Sequence, residues 1–277
     1  GKFVITYNEN NRENEAFFYF SELFQSLELN TPKVSKTNDN RDLYVQEFLG
    51  NQTLSEVISE EGLSDRVKIL VKKSLKQLFE LQSKTLGKVD FRNSFEYESY
   101  DDLPITHDLY YFKNFMIDVL ELEYHKSTLL KEFKSISEII QNLKPKTLMI
   151  RDFQSRNILV DEKDDVFFID YQSAMEGPAT YDVISFLYQA KANFPNDFKE
   201  EMLEYYLSFW ENESEKQALK ESFEWMKLMR FLQVLGAYGF RGLIQRKSHF
   251  LASLTQGIDN IYELNQNWKE IAVQFPE

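Results

Sequence analysis

The sequence contains no cysteine among its 277 residues, which excludes disulfides, thiolate catalysis and cysteine zinc sites. It is also poor in positive charge, because 32 Lys and Arg stand against 45 Asp and Glu for a net charge of -13. Tracking a nucleic-acid backbone needs a basic surface, so we expect no nucleic-acid partner. No apolar run approaches the roughly 18 residues of a membrane span, and the first residues carry no targeting pattern. We therefore expect a cytoplasmic protein without membrane contact.

Glycine is scarce as well. The nine glycines form neither G-x-G-x-x-G nor G-x-x-x-x-G-K-[ST], so no glycine-rich loop is present to cover phosphates. The three histidines, His107, His125 and His249, lack metal-ligand spacing, and zinc is not indicated. Apolar residues, by contrast, make up 43% of the chain, which is enough for a core in one large domain or two unequal lobes.

The first 50 residues are predicted to form a small N-terminal lobe. KFVIT alternates like a strand, and Asn11 to Leu29 has apolar residues at helical spacing. A turn rich in Thr, Pro, Asn and Asp follows at residues 31–42, and LYVQEFLG then indicates a buried strand that ends at Gly50.

Residues 51–277 are predicted to form a second, mainly helical lobe. Thr53 and Glu56 make a capping box that opens a short helix. Helical periodicity and start signals predict further helices at residues 63–83, 108–123, 127–143, 197–211, 214–235 and 257–273. Three short strands interrupt them, TLMI (147–150), NILV (157–160) and VFFI (166–169). The fold class is therefore α+β.

These strands carry the residues that point to chemistry. Asn157 begins one strand and Asp170 follows the next, with the acidic turn 161–165 between them. An antiparallel hairpin brings its two open ends together, so Asn157 and Asp170 should be neighbours. Asp152 lies five residues before Asn157, on the loop that enters the same end. One cleft would then hold two carboxylates and an amide.

Such a set suits magnesium and phosphates. Mg²⁺ takes oxygen ligands, usually one or two carboxylates together with water and substrate phosphate. A further carboxylate can orient a hydroxyl group and accept its proton during phosphoryl transfer. The alternative is that each residue is a turn residue whose side chain bonds its own backbone, but the D-x-x-x-x-N spacing, the hairpin and the terminal Asp together favour the site.

At these residues the sequence resembles the aminoglycoside phosphotransferase and choline kinase family of small-molecule kinases. The resemblance covers most of the chain and rests on the helix with Glu15, QEFLG, IRDFQSRN, FIDYQ and GPATYDVISFL. It implies a protein-kinase-like fold with two lobes, the N-terminal one small and rich in β-structure. Within the family, RDFxSRN is most similar to sugar kinases that phosphorylate the anomeric hydroxyl of N-acetylmuramate and N-acetylglucosamine.

The resemblance also implies roles for individual residues. Asp152 would be the catalytic base, Asn157 and Asp170 the magnesium ligands, and Asp182 a carboxylate that supports the catalytic loop. The backbone of a hinge, Gln46–Gly50, would hydrogen-bond the adenine of ATP. The residues that the resemblance assigns to cofactor binding are Gln46, Glu47, Phe48, Leu49 and Glu15. From sequence alone the hinge is equally well an ordinary strand end, and Asp182 could instead cap the following helix.

Three departures from the family pattern stand out. Ile150 occupies the position two before Asp152 where the family commonly has His. No glycine-rich loop is present. Thr6 lies near the position of a strand lysine that usually pairs with the helix acid, so Glu15 is expected to lack a cationic partner. We expect the strands that precede this one, with a phosphate-covering loop, to belong to the natural protein but to lie outside this sequence.

A second group of candidates lies near the C-terminus. Gly236, Gly239 and Gly242 are spaced three apart in LGAYGFRGLIQRK. On a helix they would form a stripe that permits close packing, whereas as a helix-breaking loop they could shape a substrate pocket. In that second case Arg241 could bind an acidic or hydroxylated substrate and Tyr238 could stack on a sugar.

The leading hypothesis is an ATP-dependent, magnesium-requiring kinase that phosphorylates a hydroxyl group of a sugar or amino sugar. The net charge of -13 would suit a polycationic aminoglycoside as acceptor. Arg156 beside the acceptor position favours a neutral or anionic sugar instead. A third hypothesis is a pseudokinase-like module that binds nucleotide and regulates, motivated by the absent glycine loop and lysine.

Overall fold

The strands form three small antiparallel sheets in this computed structural model, which describes residues 2–267. They are β1 (Phe3–Tyr7), β2 (Val34–Thr37), β3 (Leu43–Glu47), β4 (Gln52–Thr53), β5 (Lys146–Met149), β6 (Ile158–Val160), β7 (Val166–Phe168) and β8 (Met175–Pro178). The strand order is β1-β3-β2 in the first sheet, β4-β6-β7 in the second and β5-β8 in the third. The sheets are small because helices occupy most of the chain.

The helices are α1 (Asn11–Ser26), α2 (Leu54–Glu61), α3 (Asp65–Thr85), α4 (Asp102–Phe112), α5 (Lys126–Ile140), α6 (Thr180–Leu187), α7 (Asn196–Leu207), α8 (Glu213–Tyr238), α9 (Ser248–Ala252) and α10 (Leu254–Asn267). Two π-helical turns extend α4 and α8, at Lys113–Ile117 and Gly239–Ile244. Together with the strands these helices confirm the α+β class. Across residues 2–267, no helix combines the length and the apolarity that crossing a bilayer requires.

The chain divides into two compact units. The first comprises the residues up to Ser99 together with Lys146–Lys216, and the second comprises Tyr100–Pro145 together with the chain from Gln217 onward. The first unit contains all eight strands in the described residues, and the second is helical. The lobe boundary at residue 50 stays a prediction.

Helix α1 forms one side of the first unit's core. Its cap is Asn10, whose side chain accepts a hydrogen bond from the backbone N–H of Glu13, as expected for a helix start. Phe20 and Phe24 are fully buried, which confirms the predicted apolar face. The helix ends at Ser26, three residues before the predicted end, because Glu28 takes a left-handed conformation with φ of 53°.

Helix α3 supports the strands that carry the candidate site. Ser64 caps it by accepting from the N–H of Val67 at 3.2 Å, and its apolar face is buried as predicted. The Arg66 guanidinium donates to Asp164 in the turn between β6 and β7 at 2.8 Å. This cation holds the pKa of the Asp164 carboxyl below its usual value. Lys73 donates to the carbonyl of Asp164 at 2.6 Å, so α3 holds the turn through two cations.

Strands β6 and β7 form the predicted antiparallel hairpin. Ile158 pairs with Phe168 and Val160 with Val166, and the acidic turn closes where Asp161 N–H donates to the carbonyl of Asp165 at 3.0 Å. Strand β4 adds to the hairpin's other edge. Gly50 leads into β4 with φ of 121°, and a Cβ there would lie 3.3 Å from the Val160 carbonyl oxygen. Glycine therefore suits this position for both conformation and space.

Several predicted bounds are wrong. Residues 31–42 contain strand β2, which the predicted turn omitted; it is short and mostly exposed, and forms by pairing with β3. Strand β8 was not predicted, since MEGP contains residues that disfavour strands and pairs only because β5 is its neighbour.

Strand β3 ends at Glu47 rather than Gly50. Helix α4 begins at Asp102 rather than residue 108, with Asp101 as its cap. Helix α10 begins at Leu254 rather than residue 257 and runs to Asn267, and residues 268–273 lie outside the described residues.

The glycine stripe lies in the second unit and is helical. Gly236 is in α8, and Gly239 and Gly242 are in the π-helical turn that continues it. A Cβ on Gly236 would lie 2.9 Å from the backbone of Phe112, which is closer than packing allows. The glycines permit close approach of helix backbones, so the close-packing interpretation is confirmed and the helix-breaking loop is wrong.

Candidate active site

The open ends of the β6–β7 hairpin bring Asn157 and Asp170 into contact. Asn157 Nδ2 donates to Asp170 Oδ2 at 3.0 Å, and the N–H of Ile169 donates to the Asn157 carbonyl at 3.0 Å. The predicted proximity of the two residues is therefore confirmed. Asn157 is buried, whereas Asp170 is exposed and takes a left-handed conformation with φ of 63°. The amide thus supports a carboxylate that remains open to a ligand.

The backbone of Asp152, on the loop before β6, contacts this pair through Asn157, and Asp152 is not among the described residues that line the adjoining cleft. Asn157 Nδ2 also donates to the backbone carbonyl of Asp152 at 2.8 Å, so the amide joins the loop to Asp170. With both N–H groups committed to the protein, Oδ1 is the part of the Asn157 amide suited to a cation. The side chain of Asp152 is half-buried.

Asp182 anchors the start of this loop. It is the third residue of α6 and fully buried, and its two carboxylate oxygens accept from the backbone N–H groups of Ile150 at 2.6 Å and Arg151 at 3.0 Å. The alternative that it caps its own helix is wrong, because no side-chain cap is present at the start of α6. The loop support that the family resemblance implied is the contact found. Ile150 is itself buried, as a packing residue in place of a polar one.

A cleft of about 520 Å³ adjoins the pair. Its lining residues are Val4, Thr6, Asn8, Glu13, Asn14, Phe17, Pro32, Tyr44, Gln46, Glu47, Phe48, Leu49, Gly50, Asn157, Leu159, Ile169, Asp170 and Gln172. The whole predicted hinge, Gln46–Gly50, thus shares one cleft with Asn157 and Asp170. Gln46 Nε2 donates to Thr6 Oγ1 at 3.0 Å, so polar groups line the position where the family often has lysine. Burial raises the pKa of the Tyr44 hydroxyl on the same wall, which keeps it neutral.

Two polar residues of the cleft were missed by the sequence analysis. Gln172 Nε2 donates both to Asp170 Oδ1 at 2.9 Å and to Glu13 Oε1 at 3.2 Å. Asp170 is therefore held by an amide on each oxygen. Because Gln172 follows Asp170 by two residues in FIDYQ, the sequence could have suggested that it lies near Asp170. Nothing in the sequence connects Gln172 to Glu13, which lies 159 positions away.

Glu15 does not line the cleft, and the expectation that it lacks a cationic partner is wrong. Arg41 Nη2 donates to Glu15 Oε2 at 2.8 Å, and Nε donates to the other oxygen. Arg41 comes from the turn between β2 and β3, where it has a φ of 56° and lies over the ring of Phe18. Residues two apart on a helix do not share a face, so α1 turns Glu13 to the cleft and Glu15 to Arg41.

Tyr171 fastens the Asp170 segment to α1. Its ring stacks on Phe17 at 5.3 Å between centroids, and its hydroxyl lies 2.7 Å from the Ser21 hydroxyl. Tyr171 is fully buried, and burial raises its pKa well above the usual value. It acts as a neutral anchor between a magnesium-ligand candidate and a helix 150 positions earlier in the chain.

The donor set fits magnesium better than zinc. Residues 2–267 contain no cluster of three or more His, Cys, Asp and Glu side chains that could hold a metal ion. Magnesium usually needs only one or two carboxylates from the protein and takes its remaining oxygens from water and phosphate. Asp170, the Asn157 oxygen and a bound phosphate would satisfy that requirement.

The remaining candidates have the following surroundings. Arg156 is exposed on the turn before β6. Tyr238 and Arg241 belong to the second unit. Arg241 is exposed and lies 5.3 Å from the ring centre of Phe250, and burial raises the pKa of Tyr238. Their substrate roles stay predictions.

The small sheets with the β6–β7 hairpin, together with the many helices, define a protein-kinase-like fold. Solved structures agree on the fold. Choline kinase LicA from Streptococcus pneumoniae superposes with a TM-score of 0.62 at 12% identity, over 94% of this chain and 86% of that one. Another structure of LicA contains AMP. The complex of gentamicin with APH(2")-IIa gives a TM-score of 0.61 at 16% identity, over 96% and 85% of the chains.

Sequence comparison then identifies the family. Residues 11–221 match the phosphotransferase enzyme family, and the chain belongs to that family. It is also similar to an N-acetylmuramate/N-acetylglucosamine kinase of Neisseria meningitidis serogroup B, with 23% identity over 258 residues, which is 88% of this chain and 73% of that protein.

The Asp182 contacts predict a stability effect. In Asp182→Asn only one oxygen remains to accept two backbone N–H groups, and the new NH₂ meets a donor in a buried place. We expect a loss of about 1–3 kcal/mol in the free energy of unfolding, measured by urea denaturation. Glu200→Gln, an exposed change on α7, is the matched control. Equal stability of Asp182→Asn and the control would show that the carboxylate does not hold the loop.

Proposed function

We propose that the protein is an ATP-dependent kinase that requires magnesium and transfers the γ-phosphoryl group to a hydroxyl of an amino sugar similar to N-acetylmuramate or N-acetylglucosamine. The observation that carries this proposal is the contact of Asn157 with Asp170 at the end of a cleft that also contains the hinge. A protein without cysteine suits the reducing cytoplasm, where we expect it to act.

In the proposed reaction Asp152 orients the acceptor hydroxyl. Its carboxylate accepts the proton while the acceptor oxygen forms a bond to the γ-phosphorus and the bond from that phosphorus to the leaving oxygen of ADP breaks. Asn157 Oδ1 and Asp170 would hold magnesium, which neutralises phosphate charge when bound. Asp182 and Asn157 keep the Asp152 loop in place through its backbone.

The hinge would bind the other end of ATP. Backbone N–H and C=O groups of Gln46–Gly50 can hydrogen-bond a planar base, and the apolar side chains of Phe48, Leu49 and Leu159 line the same cleft. Three carboxylates, Glu13, Glu47 and Asp170, also line it. The adenine therefore belongs at the hinge and the phosphates near Asp170, where a cation can accompany them.

Substitution of the two carboxylates tests the mechanism. We expect Asp170→Ala to be effectively inactive, because alignment and charge neutralisation supply most of the rate in phosphoryl transfer. Asp152→Asn should lose about 10²- to 10⁴-fold in kcat, the range for removal of a general base. ADP release is the measurement, and urea denaturation checks that both variants fold. Asp39→Asn, exposed in the turn between β2 and β3, should keep full activity. Turnover like the wild type in Asp170→Ala or Asp152→Asn would contradict the assignment.

The acceptor is supported by two observations. The relative from Neisseria meningitidis is named as a kinase of N-acetylmuramate and N-acetylglucosamine, and Arg156 is an exposed cation four residues after Asp152. A cation near the acceptor disfavours polycationic aminoglycosides.

A panel of acceptors tests the substrate class. With magnesium-ATP, we expect ADP release on N-acetylmuramate or N-acetylglucosamine and none on choline or kanamycin. The wild-type protein without acceptor is the control for ATP hydrolysis. Turnover of kanamycin alone would replace the sugar by an aminoglycoside as the substrate.

A second candidate function is a regulator that binds nucleotide without catalysis. It is favoured by one observation: among the described residues that line the cleft there is no Lys or Arg, so no side-chain cation is present there for the phosphates. Against it, carboxylates that share a cleft repel each other unless a cation joins them.

Thermal unfolding separates the two candidates. We expect ATP with magnesium to raise Tm clearly and ATP without magnesium to raise it little, because the cleft is acidic and ligand binding stabilises the folded state by mass action. Asp170→Ala should lose the magnesium-dependent part, and Asp39→Asn should keep it. If ATP raises Tm equally with and without magnesium, and no acceptor gives ADP release, the regulator is favoured.

A further inference from the structure

Residue Gln189 makes contacts with the Asp152 loop that no sequence motif indicated. Its Oε1 accepts two hydrogen bonds from Ser155, one from the backbone N–H at 3.2 Å and one from the hydroxyl at 2.7 Å. Its Nε2 donates to the carbonyl of Phe186 at 2.6 Å. Both ends of the amide are therefore used, and its orientation is fixed by donors on one side and an acceptor on the other.

The loop needs such a partner. Between β5 and β6 the chain forms a single 3₁₀ turn at Ser155–Asn157, so few of its backbone groups pair within regular structure. Buried backbone N–H groups must nevertheless be bonded. Ser155 is buried with 2% of its surface exposed, and Gln189 accepts from its N–H.

Helix α6 and the residues that follow it thus hold the loop at both ends. Asp182, near its first turn, accepts from the backbone of Ile150 and Arg151. Gln189, two residues after the helix ends at Leu187, holds Ser155. Every residue of α6 is buried, so the helix is a rigid support. Asp152 lies between the two attachments, and its position follows from both.

We propose that Gln189 is a positioning residue: by fixing Ser155 it sets where Asp152 and Asn157 stand relative to the acceptor and the phosphates. This inference rests on the proposed kinase function, because it assigns the purpose of the contact to Asp152. It predicts that loss of Gln189 affects the chemical step more than nucleotide binding, since the hinge lines the cleft and Gln189 is not among the described residues that line it.

The test compares four proteins: the wild type, Gln189→Leu, Gln189→Glu and the control Gln217→Leu, which changes an exposed glutamine of α8. Leucine keeps the bulk and removes both kinds of hydrogen bond. Glutamate keeps an acceptor for Ser155, while its other oxygen replaces the donor to Phe186 and faces that carbonyl. Urea denaturation establishes that each variant is folded under the assay conditions.

The first measurement is amide hydrogen exchange without any substrate. In Gln189→Leu the Ser155 amide should exchange at least about tenfold faster, while the amides of Ile150 and Arg151, which Asp182 holds, should be unchanged. Gln189→Glu and Gln217→Leu should exchange like the wild type. Unchanged protection of Ser155 in Gln189→Leu would overturn the proposed attachment.

The second measurement is steady-state kinetics on the acceptor that the panel identifies. Gln189→Leu should lower kcat about 10- to 100-fold, as small misplacements of catalytic groups do, with KM for ATP within about twofold, since a change in kcat alone marks an effect on the transition state. Gln189→Glu should recover most of kcat. Faster exchange at Ser155 with unchanged kcat would overturn the positioning role.

If the wild type is inactive on every acceptor, the kinase proposal fails. The exchange measurement still supports or overturns the attachment of the loop by Gln189.

Discussion

The buried carboxylate of Asp182 is the contact on which the arrangement of the site depends. A carboxylate that is fully removed from solvent is costly unless hydrogen bonds compensate it, and the backbone N–H groups of Ile150 and Arg151 supply two such bonds to Asp182. Movement of the loop would therefore take two hydrogen bonds from a buried carboxylate. Arg151 has a φ of 72°, which is unfavourable for a residue with a side chain. Such a conformation persists where surrounding contacts determine it, and here the two bonds to Asp182 do so.

The other half of the site is tied down by the two residues that follow Asp170. Tyr171 enters the core against Phe17 and Ser21 of α1, and Gln172 returns to the cleft and reaches Glu13 of the same helix. Strand β1 has Thr6 near the position of the lysine that usually pairs with the helix acid. In this chain the hydrogen bond of Gln172 to Glu13 and the packing of Tyr171 against Phe17 and Ser21 connect α1 to the Asp170 segment. Tyr171 stays neutral in this role, because burial raises its pKa well above the usual value.

The parts of this site that sequence could predict are those that follow from local pairing. Asn157 and Asp170 sit at matching ends of a hairpin, so the strand pattern and the turn between them sufficed. The sequence could not identify Glu13 as the acid of α1 that lines the cleft. Glu13 and Glu15 are two positions apart on one helix, so spacing does not show which of them faces the cleft; that depends on how α1 is rotated about its axis. Gln189 was beyond reach for another reason: its role depends on a loop and a helix end meeting through side chains. Strand β8 escaped because its sequence opposes strand formation and only β5 recruits it.

The charge of the cleft constrains how it can hold ATP. Glu13, Glu47 and Asp170 line it, and no Lys or Arg is among its described lining residues. Two like charges about 4 Å apart repel by roughly 4 kcal/mol at an effective dielectric of about 20, so a triphosphate alone would meet strong opposition beside Asp170. If the cleft binds ATP as we propose, the compensating charge has to arrive with the nucleotide as a cation. The amides of Asn157 and Gln172 already hold the Asp170 carboxylate in position, which lowers the cost of organising a cation ligand at the moment of binding. Gln172 also donates to Glu13, so one amide joins the carboxylate of α1 to the proposed cation ligand.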